Sequence, residues 1–204
     1  MTKYMDYASQ EAQFYFDLNS SPLFIKNNQN RINILGLSQM NTLDNSSLLD
    51  IYLSKHNYVE PHYHQNAAEL VYCISGGAIV SMLNPSTKEI MNFRLSPGQV
   101  ANVPQGWWHY EEATKDQTHL LAIFNAPTPE VILGSDLLAL TPSNVMADNY
   151  CMDEIQWIKT TSNVKPGTYI GPGCLHENRT ATFQPYGSCF PYYFINHHYP
   201  YYYR

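Results

Sequence analysis

The chain predicts an all-β fold, a sandwich or barrel of short strands, followed by a brief helical region and a tyrosine-rich tail. Three observations carry that prediction. Short apolar segments recur between Gly, Pro and Asn clusters, the spacing of small sheets rather than of helices. His62-x-His64 shows the period of two that places alternate side chains on one strand face. Helix signals are confined to the residues after 134.

In chain order, strands are expected at Phe24–Ile25, Arg31–Leu37 and Leu48–Leu53, the first two separated by the turn Asn27-Asn28-Gln29-Asn30. The strand bearing His62 and His64 comes next. Glu69 then opens the apolar run Leu70-Val71-Tyr72-Cys73-Ile74, which Gly76-Gly77 ends. Ala78–Leu83, Glu89–Leu95, Gln99–Val103 and His119–Phe124 complete the set, with Asn84-Pro85-Ser86-Thr87 and Ser96-Pro97-Gly98 as turns. Thr141-Pro142 reads as an N-cap followed by proline at the first helical position, and Met152–Lys159 as a second short helix.

Two blocks carry the chemistry: His62-x-His64-x4-Glu69-x6-Gly76 and Gly98-x5-Pro104-x-Gly106-x2-His109. His62 and His64 can reach one ion while Tyr63 faces away. Glu69 adds a carboxylate after a tight turn, and His109 a third imidazole. This mixed N/O set suits Mn, Fe, Ni, Zn or Cu better than Ca or Mg. A six-coordinate ion would keep two positions for water, substrate or oxygen.

The paired blocks resemble the two signature motifs of the cupin superfamily. Pro104-Gln-Gly-Trp-Trp-His109-Tyr-Glu-Glu-Ala and the following Leu120-Leu-Ala-Ile-Phe124-Asn are similar to the second motif and next strand of germins and bacterial oxalate decarboxylases. Residues 134–150 resemble their helical region, so the similarity spans about residues 14–158. It implies a jelly-roll β-barrel with one divalent transition metal per subunit on His62, His64, Glu69 and His109. Mn is the first candidate, with Fe, Ni or Zn as the others. It also implies a homo-oligomer formed through the helical region.

One copy of each motif implies a single cupin domain. The expected organisation is an N-terminal arm and strands over 1–47, the jelly-roll core over 48–133, the helical region over 134–159 and a Tyr/Pro-rich tail over 160–204. The tail holds eight of the seventeen tyrosines and has few aliphatic residues with which to build its own core. It is expected to pack on the barrel or another subunit, or to serve as an interaction tail, since it resembles the Tyr-rich ends of bacterial spore-coat proteins.

A net charge of −6 without a Lys/Arg cluster argues against nucleic acid or an anionic membrane surface as partner. No apolar stretch has the character of a signal peptide or a membrane span. Four scattered cysteines, Cys73, Cys151, Cys174 and Cys189, suit a reducing compartment, with Cys174 and Cys189 able to pair on oxidation. The expected location is the cytoplasm or a spore coat.

What surrounds the metal decides the reaction. In the resembled oxalate enzymes a polar or cationic side chain, three residues before the first histidine, holds the free carboxylate of a dicarboxylate. Val59 stands there and offers no hydrogen bond. The decarboxylases also carry a glutamate on a lid as proton donor, and Glu130 is the carboxylate of the matching, shorter loop. Trp108 and Tyr72 are the candidate pocket walls beside Val59. Glu111 and Glu112 are expected on the barrel surface, with one of them able to orient a ligand imidazole.

Three function classes follow. The first is an oxalate decarboxylase/oxidase-like enzyme acting on a small carboxylate. The second is a metal-dependent dioxygenase or isomerase on a bulkier ligand. The third is a non-enzymatic structural or binding cupin.

Overall fold

Alternation of apolar and polar side chains builds two facing sheets. The protein is described by a computed structural model over residues 5–171. The strands are β1 (Pro22–Asn27), β2 (Asn30–Leu35), β3 (Ser47–Leu53), β4 (Tyr58–Tyr63), β5 (Glu69–Ser75), β6 (Ala78–Leu83), β7 (Ile90–Leu95), β8 (Val100–Val103), β9 (His109–Ala113), β10 (Thr118–Phe124) and β11 (Ile132–Leu133). One sheet runs β1-β2-β3-β10-β5-β8 and the other β11-β4-β9-β6-β7. Every named pairing is antiparallel. This is the expected jelly roll.

β5 shows how the pattern works. Glu69, Val71 and Cys73 are buried while Leu70, Tyr72 and Ile74 are exposed, because successive side chains on a strand take opposite faces. Leu49, Ile51 and Leu53 of β3 and Leu120, Ala122 and Phe124 of β10 line the same interior. Val59, Val80, Met82 and Ala113 face them from the second sheet. β1 and β2 belong to the first sheet through β3, so residues 22–35 form part of the barrel wall.

Two local features position the site. The β4–β9 register shifts between Val59 and His62, so that Val59 pairs with Glu111 and His62 with His109. Such a bulge puts an extra residue in one strand, and Pro61, with no N–H to donate, falls inside it. Val59 and His62, three positions apart, therefore both face inward.

At the other end of β5, Gly76 has φ 76°, and a Cβ there would lie 2.5 Å from Thr118 Cα and Oγ1. Only glycine fits. The motif glycine is thus a requirement of the β5–β10 approach.

The helices are α1 (Gly134–Leu140), α2 (Ser143–Tyr150) and α3 (Glu154–Thr161). The expected boundaries shift slightly. Pro142 takes the N-cap position of α2 itself, where it makes no side-chain cap. Asp153 caps α3 by accepting from Gln156 N, which starts that helix two residues later than Met152. No helix among the described residues is long and apolar enough to cross a membrane.

After α3 the chain returns to the barrel. Ile170 bridges Val59 and is buried in the core, and Tyr169 O accepts from Glu60 N at 2.8 Å. The expected tail therefore begins with the end of α3, at Thr160 and Thr161, and Tyr169 and Ile170 within it are barrel residues. The remaining expectations for the tail, including Cys174 and Cys189, lie outside the described residues.

Candidate metal centre

β4 presents His62, the residue after it His64, β5 Glu69 and β9 His109, all buried. One ligand atom from each lies within 4.8 Å of the others. Each imidazole is held by its Nδ1–H: His62 donates to Glu60 O at 2.7 Å, His64 to Glu130 O at 2.8 Å and His109 to Trp107 O at 2.8 Å. Carbonyl oxygens only accept, so each Nδ1 carries a hydrogen and each Nε2 is the nitrogen turned to the centre. The second motif is tied to the first by Gly106, at φ 78°, whose N–H donates to His64 O at 2.9 Å.

Glu69 Oε2 lies 2.8 Å from His109 Nε2 and 3.4 Å from His64 Nε2. Buried and without a hydrogen-bond partner, His64 Nε2 is an orphaned polar atom. Three imidazole nitrogens and a carboxylate converging with such an orphan fit a divalent transition ion, which would displace the proton shared by His109 and Glu69.

Charges inside the centre are strongly shifted. Burial pushes His62 well below its ordinary value, helped by His109, which keeps it a neutral ligand. Burial also works against charge on Glu69, but the hydrogen bond from His109 and the close approach of His64 outweigh it and hold the carboxyl well below the usual range. For His109, burial is outweighed by the hydrogen bond and charge of Glu69, raising it to about 9.

Glu111 differs from all of these. It is 1 % exposed, and burial with the nearby charge of Glu69 raises it to about 8. The expectation of a surface position for Glu111 is thus corrected; Glu112 is half-buried and faces His56 at 3.6 Å.

A pocket of about 90 Å³ opens onto His62 and His64 and is walled by Leu23, Ile32, Ile34, Leu49, Val59, Pro129, Val131, Leu133 and Tyr169. No Lys or Arg lines it. Burial raises the Tyr169 phenol, with Asp136 adding to the shift.

The family described as Cupin matches residues 17–156, well over half of the chain. The chain belongs to the cupin family. Among curated proteins it is similar to glutelin type-A 2 of Oryza sativa subsp. japonica, with 30 % identity over 126 residues, covering 60 % of this chain and 24 % of that protein. It is also similar to legumin B of Pisum sativum, with 23 % identity over 123 residues, covering 60 % and 36 %. The chain thus spans about a quarter to a third of these relatives' length.

Among solved structures it is similar to oxalate decarboxylase from Bacillus subtilis, with TM-score 0.66 and 21 % identity, covering 76 % of this chain and 40 % of that one. The coconut allergen cocosin matches with TM-score 0.67 and 22 % identity, covering 76 % and 42 %. These likenesses establish the jelly-roll fold.

The structure brings His62, His64, Glu69 and His109 together with Val59 beside them. It places three other expected residues elsewhere. Tyr72 is 38 % exposed on the outer face of β5, because it is an odd number of positions from inward Glu69. Trp108 precedes inward His109 and takes the opposite face, 6.2 Å from Tyr63 and close to Gly134.

Glu130 is exposed, its carboxylate accepting from Gln65 Nε2 at 2.9 Å; its backbone carbonyl is what serves the centre, through His64. Sequence reasoning missed the roles of Tyr169 and of the Trp107 and Glu130 carbonyls. His109-x-Glu111 repeats the period of two that puts both side chains on one face, although the period alone does not say how deeply Glu111 is buried.

Proposed function

We propose that the barrel is a metal-dependent enzyme. His62, His64, Glu69 and His109 hold one divalent transition ion, manganese first, with iron, nickel or zinc as the other candidates. The adjoining pocket takes a small carboxylate with a short apolar body. The observation behind this reading is the convergence of three imidazole Nε2 atoms and one carboxylate, each imidazole turned by its own backbone hydrogen bond. Bound there, a divalent ion supplies Lewis-acid polarisation and a docking point for an anionic group.

The chain's own residues do the rest. Val59, Ile32, Leu49 and Leu133 exclude water from the ligand. Tyr169 is the hydroxyl on the pocket wall that can hydrogen-bond a polar end of the ligand. A second carboxylate would lie unpaired against Val59, at high desolvation cost. That argues for a monocarboxylate over oxalate, even though an oxalate decarboxylase is among the structural neighbours.

The volume of about 90 Å³ falls below the ~150 Å³ engineered cavity that holds benzene. It leaves room for a few heavy atoms and argues against a bulkier ring. We also infer a homo-oligomer, because Leu140, Tyr150 and Ile155 of the helical region are left exposed.

Metal analysis of protein purified without a histidine tag, followed by calorimetric titration of the same sample with acetate, propionate and oxalate, tests the reading. Stoichiometric metal with tighter binding of a monocarboxylate is expected. Absence of stoichiometric metal in metal-replete buffer would remove the metal site, and turnover of oxalate to formate or peroxide would restore the dicarboxylate reading.

A further inference from the structure

Glu111 stands on the inner face of β9 with Val59 and Val80 as its cross-strand neighbours. Neither neighbour's side chain can accept or donate a hydrogen bond. Both carboxylate oxygens are buried and unpartnered, and no Lys or Arg is found among the described buried residues. A carboxylate left this way is costly, and proteins keep one only where something polar or charged meets it.

His109 lies two residues earlier on the same face, and Glu111 Oε1 is 3.7 Å from its Nε2, the nitrogen aimed at the centre. Donors bound to one ion at about 2.1 Å sit roughly 3 Å apart when adjacent. The 2.8 Å and 3.4 Å separations of Glu69 from His109 and His64 bracket that spacing; Glu111, 3.7 Å from His109, stands outside the four residues whose ligand atoms all lie within 4.8 Å of one another. A cation held by those four residues would offset the charge of this carboxylate after a small movement of its side chain.

We propose that Glu111 is a further metal-binding residue, a second carboxylate facing the ion that biases the centre toward oxygen-preferring cations. This rests on the metal reading above. Three neutral imidazoles with one carboxylate leave a divalent ion with one uncompensated positive charge; a second carboxylate cancels it. An added hard oxygen donor favours Mn(II) more than Zn(II), which tolerates nitrogen-rich sites. Glu111 thus acts as a selectivity residue.

The test is competitive titration of metal-free protein with Mn(II) and Zn(II), for the wild type, Glu111→Gln and Glu111→Leu. Leucine matches the aliphatic wall and covers the case in which a buried amide fails to fold. The expected result is Mn(II) affinity lowered about tenfold to a hundredfold, a smaller loss for Zn(II), and a metal-free melting temperature equal to or above wild type.

Mn(II) affinity within twofold of wild type in a folded variant would overturn the role of Glu111 while leaving the four-residue site intact. Equal losses for Mn(II) and Zn(II) would overturn the selectivity. A wild type that binds neither ion would overturn the metal reading together with this one.

Discussion

Two regions of the barrel pair a histidine with a carboxylate at short range, and they differ in kind. At the centre, His109 meets Glu69 at 2.8 Å, with His62 and His64 alongside. On the outer face of the first sheet, His119 Nε2 meets Asp50 Oδ1 at 2.5 Å, with Tyr52 stacked on the imidazole at 4.3 Å and Arg31 over the Tyr52 ring at 3.9 Å. The outer pair is complete: one imidazole, one carboxylate, and Asn33 near the remaining oxygen at 3.4 Å. The inner group is incomplete, with an orphaned His64 nitrogen and an unpartnered Glu111. A short His–carboxylate distance is therefore common to both regions; convergence of several donors, some of them unpartnered, sets the inner one apart.

The sharpest way to break this contrast is to remove one member of each region. His62→Ala or Glu69→Gln should abolish stoichiometric metal binding, whereas His119→Ala, His56→Ala or His176→Ala should leave it near wild type. Metal content after dialysis measures this, and full occupancy in both ligand variants would refute the assignment.

The pH dependence of the metal-free protein should come next in size. Glu111 is raised from 4.5 to about 8 and His109 from 6.5 to about 9. In each case the folded state keeps a proton that the unfolded chain has released, so the associated stability is present below the lower value and lost as pH rises through the higher one. Melting temperature should fall from about pH 5 to pH 9 in chelator-treated protein. Glu69, shifted downward, contributes the opposite trend only below about pH 4.5. Saturating metal should flatten the fall above pH 6.5, because the ion replaces the proton on His109; an unchanged slope in the metal-loaded form would argue against ligation by that residue.

A smaller effect is expected at the outer pair. His119→Ala should cost about 1–2 kcal/mol in urea unfolding, since Asp50 loses a hydrogen-bond partner but stays near Asn33. The smallest belongs to Glu130→Gln. The centre uses that residue's backbone carbonyl, so metal affinity should stay within about twofold of wild type. A large loss would show that the side chain reaches the ion after all.

The comparison also explains what could be read in the amino-acid order. His62, His64, Glu69 and His109 were legible because strand period, a short turn and the motif glycines are local constraints. Tyr72 and Trp108 were placed on the wrong side. Parity relative to Glu69 and His109 would have excluded both, and aromatic size was a weaker guide than strand alternation. Glu111 was misplaced for another reason. A polar side chain in a run of alternating residues is ordinarily assigned to solvent; parity with His109 points Glu111 inward, and its neighbours Val59 and Val80 show that it is buried there.

By itself the sequence determined the jelly roll and four converging donors, since turn glycines, strand alternation and ligand spacing act within a few residues of one another. Tertiary structure alone decided which carbonyls lock each imidazole, how the bulge at Pro61 turns Val59 inward, how Tyr169 and Ile170 return to the barrel, and that Glu111 is entombed beside the centre. Those outcomes depend on strand register and on contacts between segments far apart in the chain, where the cost of burying a charge is set by neighbours that no local pattern names.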